Sequence, residues 1–249
     1  LSFEDERTDL GPDARTLCSI RKVGGLYLMT YYGDYEERLQ WLDDYHQRKS
    51  AETASHSCSL FTVQTSAGQP VLGRNFDRYD KSPVLAKFMP PGKYASFAFI
   101  PDDAGQHVPK WLEAGEDASE ELKNKLLYSL PFFAADGINE KGLAIAVAGA
   151  PIRQVKHSES RKPMFVLLFI RRVLDTFQNV EEVADFAETV SIYDRDFNTV
   201  SHHFLVVDSE GRWLVIDFPD GEVRLTRGSG EPQVRTNHFP DSGDALPEA

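Results

Sequence analysis

The chain has 249 residues, of which 41% are hydrophobic and 27% are charged, and its formal net charge is -12. This length and apolar content allow one large core, whereas the negative charge argues against a nucleic-acid partner, which would need a basic surface. The longest apolar run, Met164 to Ile170, is far shorter than the roughly 20 residues of a membrane-spanning helix. The sequence therefore predicts a globular protein without a membrane span.

The cysteine content and the chain ends give limited information about disulfides and processing. Cys18 and Cys58 are the two cysteines, too few for a disulfide framework, although they could form one bridge. The chain begins without methionine, which suggests a processed form. Its acidic, turn-rich end at 239–249 predicts an unstructured tail, and we expect the chain to continue beyond it in nature.

The first half of the chain predicts strands around one helix. Residues 25–32 predict a strand, and a helix of about four turns is predicted from Asp34, because apolar side chains recur at helical spacing after it. The polar segment 47–57 predicts an exposed linker. Runs at 60–65 and 71–76 flank a turn-forming segment, so they predict a β-hairpin.

The rest of the chain mixes both types of element. The segment 78–94 contains proline and lysine and predicts a loop. Helices are predicted near 120–127 and over 163–177 and 180–190, the second of them buried because it is apolar nearly all round. Further strands are predicted at 95–100, 143–149, 204–208, 213–218, 223–226 and 234–236. Strand runs at both ends with helices between them predict an α+β fold, in which helices cover the outer faces of sheets.

Cys58 stands where the predicted hairpin begins, and Arg74 and Asp77 follow it by 16 and 19 residues. Because the second strand of a hairpin runs back along the first, both side chains are expected near Cys58. An arginine favours the thiolate, which is the form of cysteine that attacks carbonyls. A carboxylate at the same place would oppose the thiolate unless it holds a protonated amine.

Cleavage of the Ser57–Cys58 bond would supply such an amine. The α-amine of Cys58, with an ordinary pKa of about 7.7–8.0, could then act as the general base for its own thiol. The exposed linker before Cys58 suits a scissile bond. An ordinary buried thiol and a plain Arg74–Asp77 ion pair are the alternatives.

Metal and cofactor chemistry is not indicated by the sequence. His202 and His203 are adjacent, and adjacent strand residues point to opposite faces. Other Cys and His spacings are not typical of zinc. We therefore expect neither a metal nor a cofactor, and a conventional Cys–His protease is a weaker alternative because no histidine occupies a recognisable partner motif.

Four motifs in order resemble a known group of enzymes: Cys58-Ser-Leu-Phe, Gly73-Arg-Asn-Phe-Asp77, Asp136-Gly-Ile-Asn-Glu-Lys-Gly-Leu143 and Arg235-Thr-Asn-His-Phe239. They resemble the choloylglycine hydrolase or linear amide C–N hydrolase group of N-terminal-nucleophile (Ntn) hydrolases. That group includes penicillin V acylases, conjugated bile acid hydrolases, acid ceramidase-like amidases and isopenicillin N acyltransferase-like proteins. The resemblance spans residues 25–240, and the N-terminal extension and the last motif are most similar to the acyltransferase-like branch.

The resemblance implies a four-layer αββα sandwich of two antiparallel sheets between helix layers. It implies autoproteolysis between Ser57 and Cys58, which divides the chain into a pro-region or small chain, 1–57, and a hydrolase domain, 58–249, that is C-terminally truncated. The substrate would be a small or lipid-like amide, cleaved through a thioester that water or an acceptor amine resolves. The branch is often exported, which implies an extracytoplasmic location, and a homo-oligomer is compatible with the sequence.

The resemblance also implies roles for single residues. Asp77 would orient the α-amine, Arg74 would stabilise the thiolate, and Asn237 would donate its side-chain amide to the oxyanion. Gly149 stands where many relatives carry a polar or aromatic residue, so either the backbone amide near Gly149 and Ala150 supplies the second oxyanion contact or that contact is absent. Because of this departure, a non-catalytic ligand-binding domain with the same sandwich is the alternative function.

Overall fold

The computed structural model describes residues 7–39, 57–77, 82–101, 105–194 and 197–239. These residues form an α+β fold, as predicted. The α-helices are Pro12–Ser19 (α1), His107–Ala114 (α2), Glu120–Ser129 (α3), Val166–Thr176 (α4) and Val180–Glu188 (α5). The strands are Arg21–Val23 (β1), Leu26–Tyr31 (β2), Ser57–Gln64 (β3), Pro70–Asp77 (β4), Val84–Phe88 (β5), Ser96–Ile100 (β6), Asp136–Asn139 (β7), Ala144–Gln154 (β8), Lys162–Phe165 (β9), Val190–Tyr193 (β10), Thr199–Val207 (β11), Arg212–Asp217 (β12), Arg224–Ser229 (β13) and Gln233–Arg235 (β14).

Two sheets dominate the fold. The large sheet has nine strands in the order β1-β2-β5-β6-β7-β8-β11-β12-β13, and the small sheet has the order β14-β3-β4. Strands β9 and β10 form a separate parallel pair. All neighbours in the two sheets are antiparallel except β2 and β5.

The two faces of the large sheet carry different layers. On one face, α4 and α5 bury side chains such as Phe169 and Val183 in one core with Val147 and Phe204 of the sheet. On the other face lies the small sheet, and Cys58 and Leu60 of β3 belong to a second apolar cluster: Ala146, Ala148, Leu205, Val207, Trp213 and Val215. The sandwich of two sheets with helices outside the large one therefore forms as predicted.

The outer face of the small sheet is uncovered in the part of the chain that the structure describes. Phe61, Val71 and Val234 are 39%, 38% and 54% exposed on it. The second helix layer of the predicted sandwich is thus not seen over these side chains.

Three local predictions differ from the structure, one of which is the start of the helix predicted over 163–177, where Lys162–Phe165 is β9. The predicted loop at 78–94 is wrong for Val84–Phe88, which is β5, an interior strand of the large sheet whose alternation is only five residues long. The helix predicted from Asp34 begins as a 3-10 helix, Glu36–Arg38. Asp34 accepts a hydrogen bond from the N–H of Glu36 at 2.9 Å, and the predicted continuation of the helix, from residue 40, lies outside the described residues.

The N-terminal segment shares the core of the rest of the protein. Strand β2 pairs with β5 inside the large sheet, and Tyr31 and Tyr35 are fully buried in the core that α4 and α5 also form. The phenol of Tyr35 donates a hydrogen bond to Asp175 of α4. Residues 7–39 are therefore an integral layer of the fold.

Arg171 is a charged residue at the centre of this core. It is fully buried, and its Nη2 lies 2.7 Å from Oδ1 of Asp175 and donates to Ser96 Oγ at 2.6 Å. Burial raises the pKa of Asp175 to about 8. Above that pH, replacing Arg171 with methionine leaves a buried carboxylate without its cation, so we expect the free energy of unfolding to fall by about 3–5 kcal/mol.

Urea unfolding measures this loss, and the neighbouring Arg172 is the matched control. The side chain of Arg172 is 28% exposed and binds Glu36 near the surface, so Arg172→Met is expected to cost less than about 1 kcal/mol. Equal losses of unfolding free energy in the two variants would show that burial does not determine how much the Arg171 contact stabilises the protein.

Candidate active site

The predicted hairpin brings Cys58 and Arg74 onto one face. The register of β3 and β4 pairs Cys58 with Phe76 and Leu60 with Arg74, and side chains two residues apart share a face. Cys58 is 4% exposed between the two sheets. The guanidinium of Arg74 stacks on the ring of Phe76, 4.0 Å from its centroid, which fixes Arg74 near the thiol-bearing end of the hairpin.

Asp77 lies beside the predicted scissile bond but on the other face of the hairpin. It pairs with Ser57, one residue out of phase with Cys58. Its carboxylate is exposed and accepts a hydrogen bond from Asn75 Nδ2 at 2.8 Å. In the uncut chain, β3 begins at Ser57 and the Asp77 side chain is not directed toward the thiol.

Asn237 bridges the two sheets at Cys58. The backbone N–H of Cys58 donates to Asn237 Oδ1 at 2.6 Å, and Asn237 Nδ2 donates to the carbonyl of Gly149 at 2.9 Å. The register of β14 against β3 explains the contact, because Arg235 pairs with Leu60 and the same alignment carried forward reaches Cys58 at residue 237. In the uncut chain, both polar ends of the Asn237 side chain are therefore occupied.

Gly149 enters the site through its carbonyl oxygen. It lies in β8 opposite His202 of β11, and Ala150 follows it in the same strand. The predicted oxyanion donors were the backbone amides near Gly149 and Ala150. That role stays a prediction, since the contact observed at Gly149 is made by an acceptor.

Asp136 is a site residue that the sequence analysis missed. Its Oδ2 lies 3.0 Å from Arg74 Nη1, and the Arg74 side chain is only 6% exposed. Burial raises the pKa of Asp136, and the charge of Arg74 and its hydrogen bond counteract part of that rise. The guanidinium expected to favour the thiolate thus also binds a carboxylate of the opposite sheet.

An apolar groove of about 300 Å³ adjoins this pair. It runs between β4 and the face of β6 and β7, where Phe97 and Ile138 are 38% and 46% exposed. Leu72 and Phe99 also line it, and Asp136 belongs to its wall. Its volume and apolar lining suit a small apolar group.

The remaining candidate groups are the two adjacent histidines and the two cysteines. His202 contacts Asp194 and His203 contacts Asp217, on opposite faces of β11. Within the described ranges, no group of three or more His, Cys, Asp or Glu side chains is arranged to hold a metal ion. Cys18 is exposed and Cys58 buried, and both are free thiols, so the alternative of a disulfide between them does not form.

None of the helices in the described part of the chain combines the length and the apolar character needed to cross a membrane.

A mutant of the conjugated bile acid hydrolase from Clostridium perfringens superposes with a TM-score of 0.50 at 18% identity, over 74% of this chain and 54% of that one. This chain has the Ntn hydrolase fold. Penicillin V acylase from Agrobacterium tumefaciens, at 17% identity, 78% and 49% coverage and a TM-score of 0.42, is also among the similar structures. The chain spans about half the length of these proteins.

Sequence comparison gives a narrower match. Residues 128–245, just under half of the chain, match the family described as acyl-coenzyme A:6-aminopenicillanic acid acyl-transferase. No curated protein matches the chain. The matched region contains β7, β8 and Asn237, and it lies after Cys58 and Arg74.

Proposed function

We propose that this chain belongs to an amidohydrolase or acyltransferase that uses Cys58 as its nucleophile on a linear, non-peptide amide. The observation that carries the proposal is the contact between the Cys58 N–H and Asn237 Oδ1 at 2.6 Å. It joins the predicted nucleophile to the predicted polar partner across two strands, at the edge of the space between the sheets. The Ntn hydrolase fold and the acyltransferase family match support the same reaction class.

Self-cleavage is the first proposed step. The thiol of Cys58 attacks the carbonyl carbon of Ser57, the C–N bond breaks, and the nitrogen takes up the proton that the thiol loses. Water then hydrolyses the resulting thioester, which leaves a carboxylate on Ser57 and a free thiol and α-amine on Cys58. This amine is the base that the uncut chain lacks.

Turnover would use the new amine and the surrounding polar groups. The amine accepts the thiol proton and the thiolate attacks the carbonyl carbon of the substrate. The C–N bond breaks as that proton passes to the departing amine, and water or an acceptor amine then cleaves the thioester. Asn237 Oδ1 already binds the Cys58 nitrogen, so it is placed to hold the amine after cleavage. One N–H of its Nδ2 donates to the Gly149 carbonyl, and the second N–H can donate to an oxyanion.

Arg74 and Asp77, the two partners that the sequence assigns to Cys58, lie on opposite faces of the hairpin. Arg74 can favour the thiolate from the same face of the hairpin, although Asp136 shares its charge. Asp77 lies on the other face, so it would orient the amine only after the segment before Cys58 has moved away from it.

The groove beside Asp136 supports an apolar acyl group as the substrate's acid part. The family description names transfer to an amine acceptor, which supports acyl transfer beside hydrolysis. Product analysis with and without an acceptor amine separates the two outcomes.

A non-catalytic binding domain is the second candidate. Two observations favour it: the outward position of Asp77 leaves the proposed α-amine without a carboxylate to orient it, and Arg74 shares its charge with Asp136, which reduces its support for a thiolate. Such a domain would keep its chain intact, and its Cys58 would resist thiol-reactive probes.

Intact mass spectrometry tests the proposal on the purified protein. Under denaturing conditions we expect two fragments, one of which begins at Cys58. Under native conditions we expect one complex of both, because residues 7–39 lie within the core and β2 pairs with β5 of the second fragment. A single uncut chain after incubation would contradict the proposal, and a lone second fragment would contradict the expected association.

A further inference from the structure

The segment that carries Asn237 is held from both sides by buried contacts. Arg235, Asn237 and Phe239 all direct their side chains into the space between the two sheets. Arg235 is 8% exposed and Phe239 is 6% exposed, whereas Val234, the residue before Arg235, is 54% exposed on the outer face. Three inward side chains therefore anchor this segment, and the middle one contacts Cys58.

The upstream anchor is an ion pair between the sheets. Arg235 Nε donates to Asp217 Oδ2 at 3.4 Å, and Asp217, on β12, is 5% exposed. Arg235 Nη1 donates to the carbonyl of Val234 at 2.9 Å, so the guanidinium also holds its own backbone. Moving Asp217 would therefore move the strand that leads into Asn237.

The downstream anchor is His203, which contacts both Asp217 and Phe239. His203 is fully buried, its Nδ1 lies 3.3 Å from Asp217 Oδ1, and its ring meets the edge of the Phe239 ring at 6.1 Å between centroids. Neither ring nitrogen makes a hydrogen bond within the described residues, and Asp217 Oδ1 makes none either. Such unsatisfied buried polar groups are costly, so packing alone does not account for a histidine here.

His203 also lies beside the acceptor of the Asn237 amide. It pairs with Ala148, the residue before Gly149, whose carbonyl binds Asn237 Nδ2. The His203–Asp217 pair therefore touches the Asn237 segment through Arg235 and Phe239 and adjoins the strand that Asn237 binds.

We propose that His203 and Asp217 are positioning residues that fix Asn237 against the backbone nitrogen of Cys58. Asp217 holds the segment before Asn237 through Arg235, and His203 holds the segment after it through Phe239. The inference rests on the proposed function for its meaning in catalysis, but the positioning itself is a structural property that can be measured without turnover.

Hydrogen exchange at the backbone amide of residue 58 is the test, in the full-length Cys58→Ala chain so that the amide persists. In the Cys58→Ala chain, the further change Asn237→Ala removes the hydrogen-bond acceptor of this amide. Its exchange rate in that variant is therefore the reference for an amide that is fully released from residue 237. Asp217→Ala is expected to accelerate exchange of the same amide by about tenfold, the effect of losing one hydrogen bond of ordinary strength. Unchanged exchange in Asp217→Ala, with fast exchange in Asn237→Ala, would overturn the proposal.

Asp208→Asn is the matched control. Asp208 is 1% exposed at the far end of β11, and its carboxylate binds Arg212 at 2.8 Å. We expect it to leave the amide of residue 58 protected, and acceleration there would indicate general loosening and would count against a positioning role. If Asp217→Ala loses protection in α4, and so fails to fold, Phe239→Ala replaces it, because it cuts the contact to His203 from the segment itself.

Enzyme activity, measured in the protein that retains Cys58, gives a second test. Asp217→Asn is expected to lower kcat about tenfold with little change in KM, because a misplaced Asn237 weakens contacts made during the reaction rather than substrate binding. A protein that neither cleaves itself nor turns over amides would refute the proposed function, while the exchange measurement would still decide the positioning role.

Discussion

Replacing Cys58 with alanine is expected to leave a single uncut chain without amide turnover. The substitution removes the only atom that can attack the Ser57 carbonyl in the proposed self-cleavage, and it removes the nucleophile of the proposed reaction. Because Cys58 is small and lies in an apolar cluster with Ala146 and Ala148, alanine should fit the site. Intact mass and a thioester trap measured on the same preparation check both losses.

Cys18→Ala is the control for this prediction. Cys18 is an exposed free thiol on α1, so its loss should leave cleavage and turnover at the level of the unmodified protein. Cleavage at the same bond in Cys58→Ala would remove the claim of self-cleavage. Turnover that depends on Cys18 would assign the chemistry to the wrong cysteine.

Replacing Asn237 with alanine is expected to lower kcat by about 10²–10³-fold, the typical effect of removing one oxyanion donor. The same change leaves the Cys58 N–H and the Gly149 carbonyl without the partners that they have at 2.6 and 2.9 Å. Steady-state kinetics measures the loss, and the exposed Asn124 on α3 is the matched control, since Asn124→Ala should change neither kcat nor KM.

Asn237→Asp separates the role of this side chain as a hydrogen-bond acceptor from its role as a donor. Aspartate keeps oxygen atoms that can hold the nitrogen of Cys58 but cannot donate to an oxyanion when it is ionised. We expect self-cleavage to be less affected than turnover. Full turnover in Asn237→Asp would exclude Asn237 as an oxyanion donor and would leave it the role of holding the amine.

The stretches with clear periodicity were predictable from the sequence. The hairpin of β3 and β4 follows from alternating residues around a turn of glycine and proline, and it occupies residues 57–64 and 70–77. The buried helix α4 follows from its nearly all-apolar composition. Strand β5 was missed because a five-residue alternation that contains lysine looks like a loop until β2 and β6 flank it.

The candidate site was likewise predictable from the sequence only in part. The hairpin alone brings Arg74 to the face of Cys58, because an antiparallel turn fixes which residues oppose one another. The same rule, applied strictly, places Asp77 on the opposite face, since it pairs with Ser57. Spacing along the chain indicated that Asp77 is near; only the phase of the pleat decides where its side chain points.

By itself, the sequence determined the α+β class, the hairpin and the order of the motifs, because these depend on side-chain periodicity and turn chemistry within short segments. Only the tertiary structure decided which polar atoms meet. Asn237 reaches Cys58 because β14 aligns Arg235 with Leu60. Arg74 meets Asp136, and Arg235 meets Asp217, because two sheets stack face to face. Such contacts depend on strand order, register and sheet stacking, which no local pattern encodes.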